Sequence, residues 1–165
     1  MMARKGLVAG VMALALVCVA CHRPSKAEQY RAEKHERDSV ALVEQQRSME
    51  YYQSQLVLLQ HQADSLVPLF KYEKNDKYQD RGQFVLRAKG SALRVMVRDD
   101  GQGPIAYRDG QRVDLDNERL SASEKEAMET ALHLSVVISD LRELEKRIRK
   151  TSLEIEKYQK RLERN

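Results

Sequence analysis

The sequence predicts a mainly α protein with a small β insertion, an antiparallel two-helix coiled coil with a four-stranded antiparallel β-meander between the helices. Three observations carry that expectation. Two long segments, one after residue 25 and one at the C-terminal end, place apolar residues at alternating spacings of three and four. The stretch between them switches to strand-like alternation, punctuated by Gly90-Ser91, Asp99-Asp100-Gly101 and Asp109-Gly110. The 165 residues are 33% charged and 5% aromatic with no Trp, which leaves room for one modest core rather than a large globular one. The periodicity of the apolar residues argues against wholesale disorder.

The first helix is expected from Ser25 to about Val67, a segment without Gly or Pro and rich in Glu, Gln, Lys, Arg and Ala. Its second half carries the stripe Met49, Tyr52, Leu56, Leu59, Ala63, Leu66 and Phe70. Extended backwards, the same frame meets Leu42 but also Gln45, Asp38, His35 and Arg31, so the first part is expected to pack weakly. Pro68 lacks an N–H and clashes with the preceding turn, which ends or kinks the helix. In the C-terminal helix Leu134, Leu141, Ile148, Ile155 and Leu162 recur every seven residues. Val137, Leu144 and Tyr158 fill the companion positions, with Thr151 as the polar exception. Ser121 or Ser123, each followed three residues later by Glu, caps its start. Comparable lengths pair the two helices antiparallel.

Between them, Phe84, Leu86 and Ala88 alternate with polar neighbours, as do Leu93, Val95 and Val97. A two-residue type II′ turn at Gly90-Ser91 sets Leu86 opposite Val95 and Phe84 opposite Val97. A second hairpin runs from Ile105 to Leu115. A three-residue loop, Arg108 to Gly110, keeps Ile105, Tyr107, Val113 and Leu115 on one face, with Ile105 opposite Val113. Phe70, Ala127, Met128 and Ala131 are the expected cover for the apolar side. The chain thus divides into residues 1–20, 21–77 with the first helix, 78–118 with the meander and 119–165 with the second helix.

Residues 1–21 stand apart. Arg4 and Lys5 precede an uncharged apolar run, Gly6 to Ala20, and the chain turns polar directly after Cys21. The run is short for a bilayer-spanning helix and matches a signal-peptide core. Cys18-Val19-Ala20-Cys21 resembles the lipobox of bacterial lipoproteins. The resemblance implies cleavage before Cys21 and acylation of its thiol, usually followed by acylation of its new amine; two or three chains give stable anchoring. Cleavage would remove Arg4 and Lys5 and lower the net charge from +4 to +2, so the high pI gives no ground for nucleic-acid binding. With Cys18 removed and Cys21 acylated, no thiol would be left for a disulfide. The layout after the anchor, with the stretch from Lys71 to Gln83, is similar to the small coiled-coil lipoproteins of Bacteroidota-type bacteria, a group that implies no particular activity.

One surface invites a functional expectation. The hairpin register puts Arg87 directly opposite Arg94, with Lys89, Arg98 and Arg112 pointing the same way. Opposed like charges weaken a sheet, and guanidinium forks pair bidentately with carboxylates and phosphates. These five residues form a candidate anion-binding face, for an acidic protein, a lipid phosphate or a cell-wall carboxylate. The alternative is a solvated face with Asp99, Asp100, Asp114 or Asp116 as counter-charges. The last stretch, Leu141 to Asn165, has nine basic and five acidic residues, suited either to anionic headgroups or to i,i+4 pairs such as Glu143 with Arg147.

Motifs for chemistry are missing from the sequence. His22, His35, His61 and His133 show no i,i+3 or i,i+4 partnership, which argues against a metal centre. Asp114, Asp116 and Glu118 lack the twelve-residue calcium loop. Gly101-Gln102-Gly103 opens no helix and precedes no Lys-Ser/Thr, and Gly90-Ser91 is a turn rather than a nucleophile elbow. The expectation is therefore a non-enzyme without cofactors: a lipid-anchored scaffold or interaction module of the cell envelope, at the outer membrane and facing the periplasm, with an envelope protein as partner. A periplasmic holdase is the alternative, although the exported helical-hairpin chaperones it resembles place the helices between the strands. Val57, Leu58, Leu132 and Ile138 widen the helix faces enough for a dimer or a four-helix bundle.

Overall fold

The computed structural model describes residues 25–75, 78–113 and 119–164. The chain enters α1 (Lys26–Leu66) through a reciprocal capping box. Ser25 N–H donates to Glu28 Oε2 at 2.6 Å, and Glu28 N–H donates to Ser25 Oγ at 3.2 Å. That satisfies two backbone groups and lowers the Glu28 pKa, chiefly through the Ser25 N–H. The helix gives way to a single 3₁₀ turn, Val67–Leu69, with Pro68 at its start, as the missing N–H requires. A five-stranded antiparallel sheet follows, its strands adjacent in chain order: β1 (Lys71–Asn75), β2 (Tyr78–Arg87), β3 (Leu93–Arg98), β4 (Ile105–Arg108) and β5 (Gln111–Arg112). The chain then enters α2 (Ala122–Leu162). The mainly helical class, with a sheet between two helices, matches the sequence expectation.

Three details differ. The sheet has five strands rather than four, and strand structure begins at Lys71, inside the segment assigned to the first helix. β1 reads Lys-Tyr-Glu-Lys-Asn and carries almost no apolar signal. Pairing supplies what the pattern lacks: Tyr72 lies opposite Phe84, with ring centroids 4.9 Å apart. The Tyr72 ring also occupies the space above Gly82, where a Cβ would collide with it. The second difference is the turn after β4. It has two residues, not three, with Asp109 at φ 52 and Gly110 at φ 84. Two successive positive φ values mark a type I′ turn, the connection whose twist suits a hairpin and for which Asp-Gly is a preferred pair. Tyr107 therefore faces Arg112, while Val113 N–H bonds the Ala106 carbonyl at 2.9 Å. Ala106 and Val113 enter the core, and Ile105 and Tyr107 lie on the opposite face. The two-residue turn buries the small Ala106 with Val113 in place of the bulkier Ile105 and Tyr107; Leu115 lies outside the described residues. Third, the β2–β3 turn bond runs from Ser91 N–H to the Ala88 carbonyl, which makes Gly90 (φ 70) its third residue rather than the second. The register survives: Phe84 pairs with Val97, Leu86 with Val95 and Arg87 with Arg94.

Residues Glu44–Ile155 form one compact unit. Its core joins Leu93, Val95, Val97, Ala106 and Val113 of the sheet region to Phe70 and to Ala127, Ala131 and Leu134 of α2. Met128 packs at its margin, so the expected cover is in place. Ile138 also packs there and is not a spare surface residue, whereas Val57, Leu58 and Leu132 are exposed. The α1 stripe from Met49 to Leu66 is half-buried throughout, while Val137, Leu144 and Thr151 of α2 are buried. Two clefts in this unit join residues 45–52 of α1 to 143–154 of α2, and 51–59 to 140–147, so their order runs oppositely along the two helices.

Among the described residues, the second unit comprises 25–43 and 156–164. Residues 25–37 are all exposed, yet α1 runs unbroken from Lys26. Asp38, only 8% exposed, is the one buried residue of α1 and pairs with Arg161 at 3.5 Å. The Arg161 guanidinium lies over the Tyr158 ring, 5.6 Å from its centroid.

Candidate functional site

Side chains on one strand alternate between faces, so the register that buries Val95 and Val97 sends Arg94, Met96 and Arg98 outward. The outer face is organised in rows across the strands. Arg87, Arg94, Tyr107 and Arg112 occupy one row, one residue from each of β2 to β5. Lys71, Val85, Met96 and Ile105 form the next, on β1 to β4. Glu73, Gln83 and Arg98 form the third.

The five sequence-predicted residues do not act as one cluster. Arg98 is drawn to the β3–β4 loop, where it meets Asp100 at 2.5 Å and Gln102 at 2.8 Å. Asp100, one of the anticipated counter-charges, also accepts the Gln102 N–H at 3.1 Å. Lys89 is exposed in the turn after β2. Arg94 reaches Glu73 on β1, its Nη2 lying 3.3 and 3.4 Å from the two carboxylate oxygens. The register places Val85 and Met96 between the two ends of that pair. Arg94 Nε is buried without a hydrogen-bond partner among the described residues. Arg87 and Arg112 are exposed and make no ion pair among the described residues.

Arg87, Arg94, Met96, Tyr107, Ser91 and Asp109 line a cleft of about 360 Å³, with one carboxylate against two guanidinium groups. Sequence analysis missed Glu73, Met96 and Tyr107 as members of this surface. Glu73 lies on the strand that had no apolar pattern, and Tyr107 faces outward only with the two-residue turn. A larger cavity of about 490 Å³ lies along α2, but Asp100, Glu143 and Glu145 there balance Arg142, Lys146 and Arg149. Equal numbers of each sign give it no preference for a charged ligand.

No family model, curated protein or solved structure matches this chain. Among the described residues, no three His, Cys, Asp or Glu side chains converge as metal ligands would. Asp114, Asp116, Glu118 and Cys21 lie outside the described residues.

Among the described residues, the acid held furthest from its ordinary pKa is Glu124, 5% exposed at the start of α2. Ser91 Oγ donates to its Oε1 at 2.6 Å, Ser121 N–H to its Oε2 at 2.8 Å, and Arg108 Nη2 lies 3.0 Å from Oε1. These donors, Ser91 foremost and then the Ser121 backbone, hold its pKa down to about 2 against burial, which alone would raise it. Ser121, not Ser123, forms the capping box. The arrangement joins the β2–β3 turn, β4 and the helix start in one structural bond network.

The loop after β3 is fixed equally closely. Ser135 Oγ of α2 donates to the Gly101 carbonyl at 3.1 Å, and Asp99 Oδ2 accepts the Gly82 N–H at 2.7 Å. Gly101 has φ 74, and a Cβ there would lie 2.8 Å from the Ser139 backbone. Gly101→Ala is expected to lower stability by about 1–3 kcal/mol and to raise hydrogen exchange at 99–103. Urea denaturation and amide exchange check both.

Proposed function

We propose that this chain is a lipid-anchored protein of the bacterial cell envelope that works as a scaffold or interaction module. Cys21 carries the lipid at the outer membrane, and the two helices join as an antiparallel coiled coil that presents the sheet to a partner in the periplasm. The observation that carries this reading is the order of residues 4–21: a basic pair, an uncharged apolar run, then Cys18-Val19-Ala20-Cys21. No helix among the described residues is long and apolar enough to cross a membrane. The opposite order of cleft-lining residues on α1 and α2 supports antiparallel pairing. The rows of Arg and apolar side chains on the outer sheet face support a role in binding.

Cys21→Ala is expected to abolish labelling by radioactive palmitate and to release the protein from the membrane fraction. Unchanged labelling would overturn the assignment of the lipid to Cys21. Cross-linking in intact cells, followed by mass spectrometry, separates scaffold from holdase. A scaffold yields one recurrent partner; a holdase yields many unfolded outer-membrane proteins in proportion to their abundance.

A further inference from the structure

Arg94 already shows which group it takes. Among acceptors it holds a carboxylate, that of Glu73, at 3.3 and 3.4 Å. Tight guanidinium–carboxylate bonds are shorter, about 2.7–2.9 Å. The grip is thus loose, and among the described residues Arg94 Nε has no partner and the directly opposed Arg87 brings a second positive charge without an ion pair. Beside this basic row runs an apolar row in which Val85 is buried and Met96 and Ile105 are half-buried. The sheet's ladder ties up the backbone N–H groups, so donors come from side chains on one side only. Such a surface suits a flat-lying chain with carboxylates along one side and apolar groups along the other, better than a phosphate enclosed by backbone amides.

We propose that the Arg87–Arg94 cleft binds an acidic, apolar-alternating segment of a protein partner, and that Glu73 is an internal carboxylate which the partner displaces from Arg94. This rests on the interaction-module reading and names the chemistry of its partner. Lys71, also 3.9 Å from Glu73, remains with the displaced carboxylate.

The test uses the full chain and a fluorescent eight-residue peptide of alternating Glu and Leu. Arg87→Gln and Arg94→Gln should each weaken binding about tenfold or more. Glu73→Gln removes the competitor and should tighten it about two- to fivefold. Arg142→Gln, on α2 and outside the cleft lining, should leave it unchanged. The peptide with Gln in place of Glu should not bind. Equal binding of the Gln peptide, or weaker binding by Glu73→Gln, would overturn the proposal. Vesicles of phosphatidylglycerol in phosphatidylcholine, and inorganic phosphate, are run beside it. Arg87- and Arg94-dependent binding to either of those, with none to the Glu-Leu peptide, would assign the cleft to phosphate groups and also overturn the proposal. Palmitate labelling of Cys21 is independent of all these outcomes, so the cleft and the anchored-scaffold reading fail separately.

Discussion

Replacing Glu124 by alanine is expected to lower the unfolding free energy at pH 7 by about 3 kcal/mol. The carboxylate is 5% exposed and binds the Ser121 N–H, the Ser91 hydroxyl and Arg108. Truncation leaves the Ser121 N–H without its cap and removes an acceptor from two other elements at once. The same box at Ser25 and Glu28 is exposed, so Glu28→Ala should cost clearly less. The two motifs have the same spacing, so the contrast measures what burial and the added Ser91 and Arg108 contacts contribute. Acid should reveal the effect a second way. The Glu124 pKa in the folded chain, about 2, lies below its ordinary 4.5. Its contribution is therefore complete above pH 4.5 and is lost as the pH falls towards 2. Glu124→Gln should flatten the decline of stability between pH 5 and about pH 3. Urea denaturation at several pH values measures both; an acid profile as steep as that of the parent chain would contradict the account of the cap.

Leu134→Ala is expected to cost a further large amount, about 2–5 kcal/mol. Leu134 is 0% exposed and sits in the cluster with Val95, Val97 and Ala131, where the sheet and α2 meet. Loss of its branched end removes apolar burial and leaves a cavity that rigid β-branched neighbours are slow to fill. Leu132, two residues earlier and 53% exposed, is the control, and Leu132→Ala should change stability by no more than about 0.5 kcal/mol. Equal effects of the two changes would mean that α2 does not bury the face described above.

Long-period patterns were the legible part of this chain. Heptad-spaced residues located both helices, Pro68 located the end of the first, and the Ser121 box the start of the second. Alternation around Gly90 fixed the β2–β3 register even though the turn itself is built differently. What escaped was structure sustained by neighbours rather than by local pattern. Lys71–Asn75 is a strand because β2 extends to pair with it, and no alternation of its own announces this. Ala106 is buried at 1% because a small side chain fits against α2, whereas the bulkier Ile105 and Tyr107 looked like better core candidates. Of the anion-face residues, Arg87, Arg94 and Arg112 share one row across the sheet, Arg112 through a β4–β5 register one residue removed from the expected one. The diversion of Arg98 to Asp100 and of Arg94 to Glu73 depends on loop and edge geometry that spacing does not encode.

The two outermost strands have a consequence for crowding. β5 is only two residues long, and β1 presents Lys71 and Lys74 along its border. A short rim and a positively charged rim are poor templates for recruiting a further strand from another molecule. Chains brought to high local concentration should therefore repel along these borders instead of knitting into fibrils, leaving the Arg-lined face open for a different kind of visitor.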